Sequence, residues 1–195
     1  MQIECQDLKK YANPNCLGNQ EEINVKMRRI LVDWLIDVHM KFKLLPETLF
    51  ITINLVDRYT EMHQIKRKNY QLIGVTCMLI ASKYEEIYPP FIKDFIYITD
   101  QAYTKDQIVN TEVEILQSLG FELTFPTTLR FLERYSQISE CDPKLVALSK
   151  YMLELSLVEV RMNRWNQSLL ACAAIFVAKK IQYHGVKPWS TYLSE

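Results

Sequence analysis

The sequence predicts an all-helical protein made of two copies of one helical unit. Three observations predict it. The stretch Leu72 to Ala81 is apolar on almost every side, with small residues interspersed. A surface helix shows one apolar stripe, so a helix apolar all round is buried all round. Only four glycines occur in 195 residues, which disfavours a turn-rich β fold and glycine-rich phosphate loops alike. Finally, a shift of about 97 residues lays QLIGVTCMLIASK over SLLACAAIFVAKK. The same shift puts Trp34 on Phe131, Val56 on Leu153 and Asp57 on Glu154.

Residues 1 to 23 are polar and show little periodicity, so they read as a poorly ordered arm with one short turn at most. From Asn24, the residues Met27, Ile30, Leu31, Trp34, Leu35, Val38 and Phe42 keep helical spacing over five turns. Val32, Ile36 and Met40 widen that apolar arc beyond what one packing contact needs. Either this helix is sandwiched or part of its apolar face is exposed. Pro46 breaks the chain, and Glu47-Thr48 starts a second helix. The buried helix follows the Lys66-Arg67-Lys68 connection and is stopped by Pro89-Pro90. A short piece runs from Phe91 to Ile98. Thr104 and Gln107 have the spacing of a capping box, and Gly120 suits a left-handed helix stop.

After Pro126 the pattern restarts. Leu129 to Ile138 is a short amphipathic helix. Asp142-Pro143 provides an N-cap and first-turn proline for a helix running to about Met162. Asn166 opens a last helix, again apolar nearly all round, which Gly185 and Pro188 should end. The expected divisions are an arm at 1–23, a first unit at 24–123 and a second at 124–195. The second is incomplete, because a partner for the 104–120 helix would fall past Glu195.

Composition excludes several function classes. Lys plus Arg and Asp plus Glu number 23 each, so net charge is zero. Nucleic acid is therefore not the expected partner, since phosphate binding needs a basic surface. The apolar runs fall short of the ~20 residues that span a bilayer, so no membrane is expected. The start lacks the apolar segment of a signal peptide. The five cysteines, Cys5, Cys16, Cys77, Cys141 and Cys172, form no CxxC and fit free thiols in a reducing compartment. The histidines, His39, His63 and His184, adjoin no cluster of metal ligands, and nucleophile-elbow, zinc-protease and phosphate-loop motifs are absent. No catalytic residue, metal or cofactor is expected, and the chain is not expected to be an enzyme.

Four features remain: the pairs Arg28 with Asp57 and Lys83 with Glu112, the stripe Met27, Ile30, Leu31 and Trp34, and the cluster from Glu85 to Pro90. Spacing alone reads them as salt bridges tying helices and as a core stripe. A buried Lys83–Glu112 pair would be costly to desolvate, so it would point to a specific role more than to stability.

The segments MRRILVDWLIDVHMKFKLLPETLFITINLVDRY and ASKYEEIYPP closely resemble the cyclin box of mitotic cyclins. HMKFKLLPETLF and ALSKYMLELSLVEV look more like the B type than the A type. The resemblance covers about Asn24 to Pro188. It implies the cyclin fold, with two tandem five-helix boxes, each around a buried central helix. It also implies a regulatory subunit that binds and activates a cyclin-dependent kinase at the G2/M transition, in nucleus and cytoplasm. By position, Lys83 and Glu112 look like the pair that anchors the kinase's mobile helix, with Tyr84, Leu116, Phe121 and Leu123 as apolar neighbours. Met27, Ile30, Leu31 and Trp34 look like the docking patch for Arg-x-Leu substrates or inhibitors, with Asp37 for the arginine and Gln71 for peptide backbone. Arg28 and Asp57 match a structural ion pair. Arg29 stands where the family usually has a small residue and is expected to crowd or charge the groove. Glu133 stands where a phosphate-binding pocket would need a base, so that pocket is not expected. Two other readings are a truncated, non-activating cyclin and a nucleic-acid-binding transcription factor of the same fold.

Overall fold

In the computed structural model, residues 11–139 and 141–182 are described. Eight α-helices occur among them: α1 Val25–Phe42, α2 Pro46–Met62, α3 Tyr70–Glu85, α4 Ile92–Ile98, α5 Lys105–Ser118, α6 Thr128–Ile138, α7 Pro143–Val158 and α8 Gln167–Gln182. No strand occurs among the described residues.

Local chemistry sets most helix ends. The Asn24 side chain accepts a hydrogen bond from the Met27 amide and caps α1. Lys43, with φ of 54°, turns the chain out in the left-handed region. Pro46 does not precede α2 but forms its first turn, where a proline lacks nothing the helix needs. The capping box at Thr104 and Gln107 is present, with each side chain meeting the other's backbone amide.

α3 is the axis of the first helical unit. Every residue from Leu72 to Ser82 is buried, and α1, α2, α4 and α5 all touch it. Gly74 lets α1 approach closely: a Cβ there would lie 2.9 Å from Leu31 Cδ1. The helix ends at Glu85, before the prolines, because Glu86 is extended. The Glu86 carboxylate accepts from the Leu45 amide (2.7 Å) and the Thr48 hydroxyl (2.6 Å) at the start of α2. A carboxylate at a helix N-terminus meets free amides and the positive end of the dipole.

The second axis differs from its expectation. α8 buries only Ala171, Ala174, Ile175 and Ala178, which lie on one face, while Leu169, Val177 and Ile181 are exposed. Its neighbours among the described residues are α6 and α7, so only one face is covered. Its expected stop at Gly185 and Pro188 lies outside the described residues. α7 also ends earlier than periodicity predicts. Glu159 leaves helical geometry, and Val160–Arg164 forms a 3-10 turn instead of continuing to Met162.

The arm is not loose where it is described. Ala12, Cys16 and Ile23 are buried. The Gln20 amide donates to the carbonyls of Thr60 and His63 and accepts from the Ile65 amide, strapping the arm to the end of α2. Cys16 and Cys77 are free and buried, and burial pushes the Cys16 thiol up to about 12. Both are therefore poor nucleophiles at neutral pH.

Candidate functional site

Three arrangements occupy the positions that sequence reasoning selected. The first is the tip of α3. Lys83 Nζ lies 2.6 and 2.8 Å from the two Glu112 carboxylate oxygens of α5. The Lys83 side chain is 45% exposed and that of Glu112 13%. The lysine stays in water, so the cost of desolvating both charges does not arise, and a pair open to solvent on one side adds little stability.

Apolar residues follow the pair in the chain, at the end of α3, along α5 and in the turn after it. Tyr84 is half exposed, and its hydroxyl lies 2.7 Å from Thr124 Oγ1. Leu116 stands one turn after Glu112 on α5, half-buried against the core, as is Leu123. Gly120 and Phe121 both have positive φ, 61° and 59°. For phenylalanine that region is sterically costly. The turn is held by the Phe121 amide donating to the Leu116 carbonyl, and the ring is left 66% exposed. Ile87 and Tyr88, from the cluster between Glu85 and Pro90 that the sequence singled out, are 85% and 91% exposed, and Val113 of α5 is 48% exposed.

The second arrangement is a cavity of about 270 Å³ against α1. Met27, Ile30, Leu31 and Trp34 line one side and Gln71 the other, joined by Tyr70 and Arg67. This settles the over-wide arc of α1: Leu31 and Leu35 face the core, while Ile30 is 61% exposed. Asp37 is exposed one turn beyond Trp34 and outside the cavity wall. Arg29 does not crowd the cavity. Its guanidinium pairs with Glu159 in the second box. The cation on the wall is Arg67, which sequence reasoning left in a solvated connection.

The third is the ion pair of Arg28 with Asp57. Arg28 is 1% exposed and donates from Nε and Nη2 to both Asp57 oxygens at 2.7 Å. Burial alone would lower its pKa, but the Asp57 carboxylate holds it above the ordinary arginine value. Arg28 Nη1 also donates to the carbonyls of Leu157 (2.9 Å) and Val158 (3.2 Å), and Asn163 donates to Asp57. This pair is thus the polar centre of the joint between the boxes.

Comparison with known proteins decides the family. The cyclin N-terminal domain family matches residues 2–124, and the cyclin C-terminal domain family matches residues 126–195. The chain belongs to the cyclin family. Its similar relatives include Cyclin-B2-1 of Oryza sativa subsp. japonica, 48% identical over 86% of this chain and 40% of that protein. The G2/mitotic-specific cyclin-B1 of Oryzias latipes is 46% identical over 90% of this chain and 43% of that protein. The cyclin chain thus spans less than half the length of these mitotic, B-type relatives. A viral cyclin from herpesvirus saimiri shares the fold with a TM-score of 0.88, at 21% identity, covering 99% of this chain and 86% of that one.

The surroundings of this cyclin's joint are charged. Glu159 pairs with Arg161 and Arg29, and the hydrogen bonds from Arg161 first, then from Arg29, hold its carboxyl down at about 2, against an ordinary 4.5. A depressed carboxylate pKa adds stability above the ordinary value, and that contribution fades as pH falls from 4.5 toward 2. The unfolding temperature of the cyclin and of Glu159→Gln should therefore differ at pH 6 and converge as pH falls through that window. Glu133, the residue that argued against a phosphate pocket, lies 3.5 Å from Arg130. Among the described residues no group of histidine, cysteine and carboxylate side chains is placed to hold a metal, and no helix is long and apolar enough to cross a membrane.

Proposed function

We propose that this cyclin binds and activates a cyclin-dependent protein kinase in mitotic control, and recruits substrates through the groove on α1. The carrying observation is the Lys83–Glu112 pair, with Lys83 45% exposed and the exposed rings of Tyr84 and Phe121 on the same α3 end and the turn after α5. A charged pair that stabilises little on its own, together with exposed aromatic rings, has the make-up of a binding hot spot. The likeness to G2/mitotic-specific cyclins supports the choice of a kinase as partner.

The physics is a shift of population. A protein kinase works when a helix of its small lobe turns inward, so that a Lys–Glu pair forms and the phosphates are positioned. Lys83 and Glu112 would hold backbone groups at the ends of that helix, while the apolar side chains cover its face. A partner that binds only the inward form raises its population by the difference in affinity. The cyclin contributes no reacting group. Mixing the chain with a purified cyclin-dependent kinase should give a 1:1 complex by size-exclusion chromatography; separate elution would contradict the proposal.

The groove on α1 would take the leucine of an Arg-x-Leu segment between Ile30, Leu31 and Trp34, with Gln71 bonding its backbone. Asp37 would then meet the arginine beyond the groove's end, while Arg67 disfavours a second cation inside it. Trp34→Ala should leave kinase binding intact and slow phosphorylation of Arg-x-Leu substrates by at least about tenfold, the scale of losing one aromatic anchor. Equal loss on substrates without the motif would mean a folding defect.

In the cell, this function places the chain in nucleus and cytoplasm. That is checked by imaging a tagged copy through the division cycle.

A further inference from the structure

A cavity of about 870 Å³ lies where the arm, the ends of α2 and α5 and the 3-10 turn before α8 meet. Its wall includes Arg58, Glu61, Met62, Arg161, Arg164 and Trp165. Arg58 is only 6% exposed. Of the guanidinium's five N–H donors, one bond is made, from Nη1 to the Glu122 carbonyl at 2.9 Å. No carboxylate pairs with it among the described residues. Burial pushes its pKa down, and Glu122 acts on it only at longer range. The guanidinium therefore borders the open space of the cavity without a counter-ion beside it.

The rim repeats the sign. Arg164 is exposed, lies 5.7 Å over the Trp165 ring and has no acidic partner among the described residues. Arg161 is compensated by Glu159. The one carboxylate on the wall, Glu61, accepts from the Asn13 amide. Two uncompensated guanidiniums thus face a single anion. Beside them, Trp165 and Met62 leave 49% and 57% of their surfaces exposed.

We infer that this cavity is a docking site for an acidic peptide segment of a partner protein. An aspartate or glutamate carboxylate bridges Arg58 and Arg164, and a neighbouring apolar side chain lies on Trp165 and Met62. Charge-assisted bonds to a carboxylate are about twice as strong as neutral ones, and the guanidinium fork matches its two oxygens. The volume is near the upper end of the roughly 300–1,000 Å³ of small-ligand sites, room enough for a few residues of extended chain. The site shares no residue with the kinase tip or the α1 groove, so it does not depend on the function proposed above.

The test uses the full chain and fluorescence anisotropy at low and moderate salt. The probe is a pool of labelled octapeptides with glutamate at the two central positions and random neutral residues elsewhere. Matched pools carry glutamine or phosphoserine there, and inorganic phosphate is the competitor. The glutamate pool should bind, more weakly at higher salt, and the glutamine pool should not. Arg164→Glu and Trp165→Ala, both at the surface, should each weaken binding at least about tenfold, the size of one charge-assisted contact. Arg58→Met should do the same with unfolding temperature as a check on the fold, and the exposed Lys144→Glu should bind normally. The inference is overturned if the glutamate and glutamine pools bind alike, if no pool binds, if only phosphoserine binds, if inorganic phosphate alone occupies the cavity, or if Arg164→Glu binds as the parent does.

Discussion

Arg28→Ala is expected to destabilise this cyclin by about 3–5 kcal/mol, the cost of stranding one member of a buried ion pair. The substitution leaves Asp57 without its forked partner and the Leu157 and Val158 carbonyls without a donor. Unpaired buried polar groups carry their full desolvation penalty. Arg28→Lys should recover little, because an ammonium cannot serve two carboxylate oxygens and two carbonyls in one plane. Arg28→Met with Asp57→Leu should recover part of the loss, since removing both charges removes the unpaired one. The carbonyls of α7 stay unmet in the double variant, and the remaining deficit measures what Arg28 contributes to the joint between boxes. Urea unfolding of the four proteins checks this; a parent-like midpoint for Arg28→Ala would contradict the role given to the pair.

Lys83→Ala is the second large effect, and it belongs to binding. The variant should unfold nearly as the parent does, because a pair whose lysine is 45% exposed contributes little to the fold. Its affinity for a cyclin-dependent kinase should fall by about 2–5 kcal/mol, as when a charge buried by an interface is truncated. Glu112→Ala should behave similarly, and the double variant should cost less than the sum, because each residue positions the other. Calorimetric titration of kinase with each variant reads all three. The two charge pairs differ in their surroundings: both side chains of Arg28 and Asp57 are buried, whereas Lys83 is 45% exposed beside a Glu112 that is 13% exposed.

Most of the fold was legible because its signals are local. Thr104 with Gln107, Gly120 and Asp142-Pro143 act within one helical turn, and the all-apolar run of α3 announces burial from every side. What stayed hidden depends on residues far apart in the chain. Nothing near Glu159 resembles a helix breaker. It leaves α7 where its carboxylate meets Arg29, 130 residues earlier, and Arg161. The same pairing diverts Arg29 from the groove that sequence position assigned to it. Arg67 was read as part of a solvated run because periodicity does not say which loop folds over α1. Lys83 and Glu112 were legible as a pair from spacing, and family resemblance supplied a role for them, but the exposure of Lys83 was not legible, since it depends on how the α3 tip is held by Glu86 and the start of α2. The uncovered face of α8 was likewise invisible in a run that matches α3 in composition.

The most direct test of the central claim is histone phosphorylation by a purified cyclin-dependent kinase, measured alone, with this chain, and with Lys83→Ala at the same concentration. The parent chain should raise the rate well above that of the free kinase, and the variant should require far more protein to reach it. A complex that forms without any rise in rate, or a Lys83→Ala chain that activates as the parent does, would contradict it.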